Sequence, residues 1–267
     1  MSETNATLQT CVNDISNLYR KNNIVINEDK CFTMVVGPKR IKEEGRLDIS
    51  INGHGIEHVK VMNYLGLEID DALTWDNYIN KLCKSLYVKI SKFVRLSKTL
   101  SKEILIKIYN STIQPIIDYV ISVWGCTSSA NINKIQRLQN YCARVIEKNF
   151  NYVQYRGLHL VKKLGWMNVK ERYLYFQTLL IFKCIHGLAP HYLTNNIILD
   201  IEVKERITRQ HDMNLYLPIP ESENHKKMFI YRGAKSWNNL PGHMKDCNDL
   251  DKFKRLLKYH VKNVAHL

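Results

Sequence analysis

The sequence is short of acid. Its 267 residues carry 25 Asp plus Glu against 39 Lys plus Arg, so the formal net charge is 39 − 25 = +14, with a pI near 9.4. The seven cysteines include no C-x-x-C pair, which argues against a zinc ribbon or a disulfide framework and favours reduced thiols. No apolar run approaches the ~18 residues that a membrane span needs. The opening stretch, MSETNATLQTCVND, has neither a basic nor an apolar leader segment, so no secretory signal is expected. Internal repeats and low-complexity segments are also missing. What is present is ordinary globular composition, 45% hydrophobic and 24% charged, at a length suited to one or two domains.

The positive excess is unevenly placed. Residues 1–70 hold 8 basic and 10 acidic side chains (−2), residues 71–190 hold 18 against 6 (+12), and residues 191–267 hold 13 against 9 (+4). A polyanionic partner is implied, nucleic acid first and a membrane surface second. Charge confined to one segment points to a functional face on one unit.

Periodicity divides the chain near residue 70. Leu8, Val12, Ile15, Leu18 and Tyr19 predict an amphipathic helix over 5–22. Ile24–Ile26, a turn at Asn27–Lys30 and the run Cys31–Val36, stopped by Gly37-Pro38, read as β-rich. Leu47, Ile49 and Ile51 alternate with polar residues ahead of Asn52-Gly53, a strong hairpin signal. A return strand is expected over about 59–64, with Leu65–Ile69 continuing it.

Beyond Trp75 the period becomes helical. Ile79, Leu82, Leu86, Ile90, Phe93 and Leu96 share one side of a helix, and Lys81, Lys84, Lys92 and Arg95 fall within roughly 80° of arc beside that stripe. Ser101 should cap a second helix that Pro115 kinks or breaks. A third helix covers about 131–148, basic at Lys134, Arg137, Arg144 and Lys148. Asn168 with Glu171 reads as a capping box, and His186-Gly187 with Pro190 as that helix's stop. Residues 191–240 are turn-rich, and a basic helix runs from about 249 to 261.

Several strings together resemble the reverse transcriptases of non-LTR retrotransposons. Asn27-Glu28-Asp29-Lys30-Cys31-Phe32-Thr33-Met34 is similar to their N-x-x-K-T-x-x-M segment, with Cys31 where Thr is usual. Asn63–Ile69 with Leu73-Thr74-Trp75 resembles the Y-L-G strand and the L-x-W after it. Ile113–Tyr119, Val123-Trp124-Gly125 and Ile135–Asn140 resemble the helices after the palm in the jockey and chicken-repeat-1 groups. Gly187–Pro190, Thr208-Arg209 and Tyr231–Pro241 match the tail.

The resemblance implies an α+β fold: a small α+β palm remnant over 1–71, a mainly helical thumb over 72–150, and a helical C-terminal region with a turn-rich segment over 151–267. It implies a fragment of an RNA-directed DNA polymerase. The family's catalytic aspartates, in an upstream strand and an [FY]-A-D-D turn, have no counterpart here. Polymerisation uses two metal ions held by such carboxylates, so magnesium belongs to the parent enzyme and the isolated chain is expected to be inactive. The expected partner is a template–primer of RNA or DNA, held by Lys81, Lys84, Lys89, Lys92 and Arg95. Neither a membrane nor a small-molecule substrate is expected, and the setting is intracellular, nucleus or cytoplasm. Tyr64-Leu65-Gly66 resembles the primer grip, and Lys30 matches a lysine considered to donate a proton to departing pyrophosphate.

Other groups read as structural. Asp70-Asp71 is an acidic turn, and His54-Gly55-Ile56-Glu57-His58 lies in a hairpin, not on the helix that a zinc hydrolase needs. Trp124, Trp166 and Trp237 read as packing, and Tyr78 and Tyr87 as core, rim or stacking residues. Two alternatives stand beside the polymerase fragment. One is a stand-alone basic nucleic-acid-binding module; the other is a helical interaction or structural remnant whose charge is merely solvated.

Overall fold

The computed structural model describes residues 2–37, 47–203, 213–220 and 223–264. Pro38, Thr208 and Arg209, used in the sequence reading, lie outside them. Helices dominate and strands are few and short, in keeping with the expected α+β class. The chain divides into two compact units, residues 1–81 and 82–267.

The first unit opens with helix α1 (Ser2–Lys21). Leu8 and Val12 are half-buried, whereas Ile15, Leu18 and Tyr19 on the same stripe stay exposed. The Gln9 side chain acts as a short strand: its Nε2 donates to Ser50 O at 2.8 Å and its Oε1 accepts from Ser50 N at 2.9 Å. That pairing satisfies a strand edge that would otherwise be open.

The predicted β-run at 31–36 condenses to β1 (Phe32–Thr33), because its parallel partner β4 (Glu57–His58) is only two residues long. Between them β2 (Ser50–Ile51) and β3 (His54–Gly55) pair antiparallel. Asn52 (φ 52°) and Gly53 (φ 84°) form the two-residue loop, the left-handed pair that matches strand twist. The H-x-x-E-H string is thus spread over β3 and β4, as its flanking glycines indicate.

One expectation fails here. Leu65–Ile69 does not extend the preceding strand: β5 (Val61–Tyr64) reverses at Leu65-Gly66 and returns as β6 (Leu67–Asp70), with Tyr64 opposite Leu67. Leu65 (φ 49°) and Gly66 (φ 81°) repeat the left-handed pair of the first hairpin. Leucine is an unusual first residue for such a turn, so local propensity concealed it.

Helix α2 (Asp76–Leu96) crosses the division between the units. In the second unit α3 (Lys102–Ile108) leads into a π-helical turn, Tyr109–Ile113, and then into α4 (Gln114–Asp118). Pro115 therefore does not break the helix. The wider turn ahead of it accommodates the missing N–H and the ring, as single π-turns commonly do. The break comes later, at Val120 (φ 49°), before α5 (Ile121–Trp124).

Ser128 caps α6 (Ser129–Glu147) by accepting from Asn131 N at 3.3 Å, and α7 (Gly157–Lys163) follows. The capping box at Asn168 and Glu171 is complete at the start of α8 (Val169–Ile185). That helix ends at Gly187 (φ 66°), with Leu188 N reaching back to Lys183 O at 2.7 Å. Sequence reading and structure agree on both ends.

The turn-rich stretch contains more helix than its composition suggests: α9 (His191–Thr194), α10 (Asp200–Val203), α11 (Glu223–Lys227) and α12 (Phe229–Asn238), with α13 (Gly242–Lys245) just after it. Helix α14 (Leu250–Val264) closes the described chain. A core of Ile181, Phe182, Trp237, Phe253, Leu257 and Val261 joins α8, α12 and α14, with Phe182 stacked on Phe253 at 4.1 Å. Trp124 and Trp237 are fully buried, and Trp166 stacks on buried Tyr109 at 3.8 Å, so all three are packing residues.

Candidate nucleic-acid interface

Helix α2 positions the predicted cations. Ile79, Leu82, Leu86, Ile90 and Phe93 are buried as the period requires, while Leu96 at the end of the stripe is exposed. At 100° per residue, Lys84, Lys92 and Arg95 lie on the side opposite the buried stripe. That corrects the expectation that they flank it, and it leaves them facing solvent. All three are exposed, as is Lys89 nearer the core edge, and none makes an ion pair among the described residues. Lys81 is different. It belongs to the first unit and pairs with Glu68 of β6. Tyr87 and Val88 are exposed on the same helix, whereas Tyr78 is core.

The start of α2 depends on Asp70. Its Oδ1 accepts from Ala72 N at 3.1 Å and Thr74 N at 2.9 Å, and its Oδ2 accepts from Trp75 N at 2.8 Å and Thr74 Oγ1 at 3.2 Å. Burial acts to raise this carboxyl's pKa, but the bonds from Thr74, Trp75 and Ala72 outweigh it and hold the pKa below the ordinary value. Leu73 (φ 52°) and Trp75 (φ 67°) sit in left-handed conformations that bulky residues avoid, and the carboxylate offsets that strain. Asp70 has the structural role its turn context implied.

The other predicted positions stay apart from this helix face. Lys30 is exposed in a 3₁₀ turn (Glu28–Lys30). Tyr64, Leu65 and Gly66 form the exposed tip of the β5–β6 hairpin, with Tyr64 57% accessible. Among the described residues no group of three or more His, Cys, Asp or Glu gathers where it could hold a metal ion.

The polar side chains of the helix motifs of 113–140 are largely turned inward: Gln114 and Gln139 are buried. Tyr109 O–H donates to Gln114 Oε1 at 2.7 Å, and Gln139 Nε2 donates to Tyr109 Oη at 3.2 Å and to Met167 O at 3.0 Å. Gln136 Oε1 accepts from Val169 N at 2.8 Å, one of the open donors at the start of α8. At the other end Gln114 Nε2 donates to Asp118 Oδ1 at 3.0 Å, and Asp118 is gripped bidentately by Arg172 of α8. One polar chain thus ties α4 and α6 to α8. Burial pushes the Tyr109 hydroxyl pKa up strongly and that of the adjacent Cys142 thiol up to about 12, so both stay neutral.

Arg144 also proves internal. It is 4% exposed and donates to Asn149 O, Asn151 O and Tyr155 O at 3.3, 3.4 and 2.6 Å. Sequence reading placed it on a basic face and missed these roles. The four-residue spacing of Gln114 and Asp118 was the available signal for the network, but nothing local announced their partners on other helices.

No protein-family model matches the chain, and no solved structure matches it. Curated proteins do. The RNA-directed DNA polymerase from mobile element jockey of Drosophila melanogaster is 28% identical over 160 residues, covering 57% of this chain and 17% of that protein. The jockey polymerase of Drosophila funebris is 29% identical over 149 residues, covering 54% and 16%. The probable RNA-directed DNA polymerase from transposon X-element of Drosophila melanogaster is 28% identical over 153 residues, covering 55% and 16%. The matched stretch therefore spans about one sixth of the length of these relatives. Over about half its own length the chain is similar to RNA-directed DNA polymerases of non-LTR retrotransposons, the resemblance its motifs carry.

Proposed function

We propose that this chain is a thumb-bearing part of a non-LTR retroelement reverse transcriptase, and that its own activity is to hold a template–primer duplex without regard to sequence. In this reading residues 1–71 are a palm remnant, 72–150 the thumb and 151–267 a helical C-terminal region with a turn-rich segment. The observation that carries it is the solvent-facing set Lys84, Lys92 and Arg95 on α2, unpaired among the described residues and turned away from the core. Such a row matches the phosphates of a backbone, which dominate duplex affinity and carry no sequence information.

Lys81, paired with Glu68, contributes less, and Lys89 extends the row toward the core edge. The exposed hairpin tip Tyr64-Leu65-Gly66 would meet the primer strand, and Lys30 would act only in an intact polymerase, alongside carboxylates and magnesium supplied from elsewhere. No catalysis is assigned to the chain itself, and the proposed setting is intracellular.

The test is fluorescence anisotropy of a 20-base-pair RNA–DNA hybrid over a salt series. Log K should fall linearly with log salt, and the triple variant Lys84→Gln, Lys92→Gln, Arg95→Gln should flatten that slope by about one for each cation removed. A slope unchanged by the triple substitution would leave the helix as a solvated face and end the proposal.

A further inference from the structure

A second set of residues, on α6 and the loop that follows it, has the chemistry of a different ligand. Between Asp118 and Glu171 the sequence contains one acidic residue, Glu147, against eight Lys or Arg. Glu147 is itself engaged, by Lys102 Nζ at 2.6 Å and Lys163 Nζ at 2.7 Å. This stretch of sequence therefore carries cations with almost no acid of its own. Within it, the exposed edge of α6 and the loop 149–156 leading to α7 carry three exposed aromatic rings. Tyr141 is 37% accessible, Phe150 51% and Tyr152 64%.

The loop is held in shape. The buried Arg144 guanidinium is spent on three of its carbonyls and lies 4.1 Å from the centre of the Tyr152 ring. Asn151 Oδ1 accepts from Val153 N at 3.1 Å and Gln154 N at 2.9 Å, closing the turn. Phe150 leans on Tyr141 with ring centres 6.4 Å apart. Beside these rings is a depression of about 310 Å³, lined by Arg137, Asn140, Tyr141, Arg144, Tyr152 and Gly157. Arg137, Lys148 and Arg156 are exposed around it.

From this juxtaposition we infer that the α6 edge and the 149–156 loop form a stacking ledge for single-stranded nucleic acid. Unpaired bases lie on Tyr152 and Phe150, and the phosphates run along Arg137, Lys148 and Arg156. Exposed rings interleaved with cations suit a single strand, because its bases offer free π-faces that a duplex keeps inside its stack. A preformed loop lowers the ordering cost of binding. The ledge is independent of the α2 reading: it rests on other residues and concerns another form of nucleic acid.

The test uses the full chain, a single-stranded DNA 12-mer containing 2-aminopurine, and the corresponding duplex. The wild type should bind the single strand with quenching of 2-aminopurine, the signature of stacking. Phe150→Ala and Tyr152→Ala should each weaken single-strand binding about five- to a hundredfold and abolish the quenching, while duplex affinity stays unchanged. Tyr152→Phe, which keeps the ring, should behave as wild type.

Three results would overturn the inference: no single-strand binding by the wild type, full affinity in both folded alanine variants, or equal losses for single strand and duplex. If Tyr152→Ala melts early through loss of its contact with Arg144, Phe150→Ala decides, since Phe150 is 51% exposed and its ring leans on the exposed Tyr141. Failure of the α2 proposal would appear instead as a duplex salt slope indifferent to Lys84, Lys92 and Arg95.

Discussion

Asp70 shows how one side chain can set the geometry of a whole region. Its carboxylate accepts from three backbone N–H groups and the Thr74 hydroxyl, and so holds two bulky residues in left-handed conformations ahead of α2. Replacing it by alanine should cost about 1–3 kcal/mol in urea unfolding, the range for stranding buried donors. The pH dependence has a definite sign. The folded pKa lies below the unfolded value of about 3.9. The contribution is therefore complete above that unfolded value and is lost as pH falls through the folded one. Thermal melts from pH 7 to pH 3 should show a shallower acid loss in Asp70→Asn than in the wild type. Equal slopes would place the acid sensitivity elsewhere.

At the same scale Lys81 and Arg144 mark the limit of reading charge from a sequence. Each fits a basic face by spacing, yet one is paired with Glu68 and the other is buried against loop carbonyls. Their partners, 13 and 11 residues away, lie outside the helix that carries the cation, so no helical pattern reveals them.

Among the elements, α8 holds both ends of the polar chain that begins at Val169 and ends at Arg172. The Asp118–Arg172 pair has side-chain accessibilities of only 19% and 15%, so removing one partner strands a poorly solvated charge. Arg172→Ala should destabilise the fold by about 2–3 kcal/mol, and a double-mutant cycle with Asp118→Asn should recover part of that loss. Additive losses would mean the pair contributes nothing as a pair.

Gly125 belongs to the same packing. A Cβ there would collide with the Tyr173 ring and lie 2.5 Å from Ile121 O, so Gly125→Ala should cost about 1–3 kcal/mol by overpacking. Chemical denaturation at equal m-value would measure it, and a neutral substitution would show that Tyr173 swings aside freely. Asp118 and Gly125 fall in the strings that resemble the polymerase family, and their visible role is to pack helices. The helices were legible because capping, periodicity and glycine stops are local signals, as at Asn168, Glu171 and Gly187. The π-turn before Pro115 and the reversal at Leu65-Gly66 were not, because each defeats the local preference of its residues through surrounding contacts.

For the whole molecule, net charge and charge location make different predictions. Substituting Lys252, Arg255 and Lys258 of α14 by Gln removes the same three charges as substituting Lys84, Lys92 and Arg95. All six cations are exposed. If the duplex is held on α2, only the second triple should flatten the salt slope; a general field would respond alike to both. The sequence alone determined the basic excess, its concentration after residue 70 and most helix limits, which rest on composition and on periods of two to four residues; its motif strings carried the resemblance to retroelement polymerases. Only the tertiary structure decided which cations remain free, that the motif glutamines and Asp118 face inward, and that three aromatic rings share a ledge with arginines. Those outcomes depend on contacts between residues distant in sequence, where burial and pairing, not residue type, fix what a side chain can do.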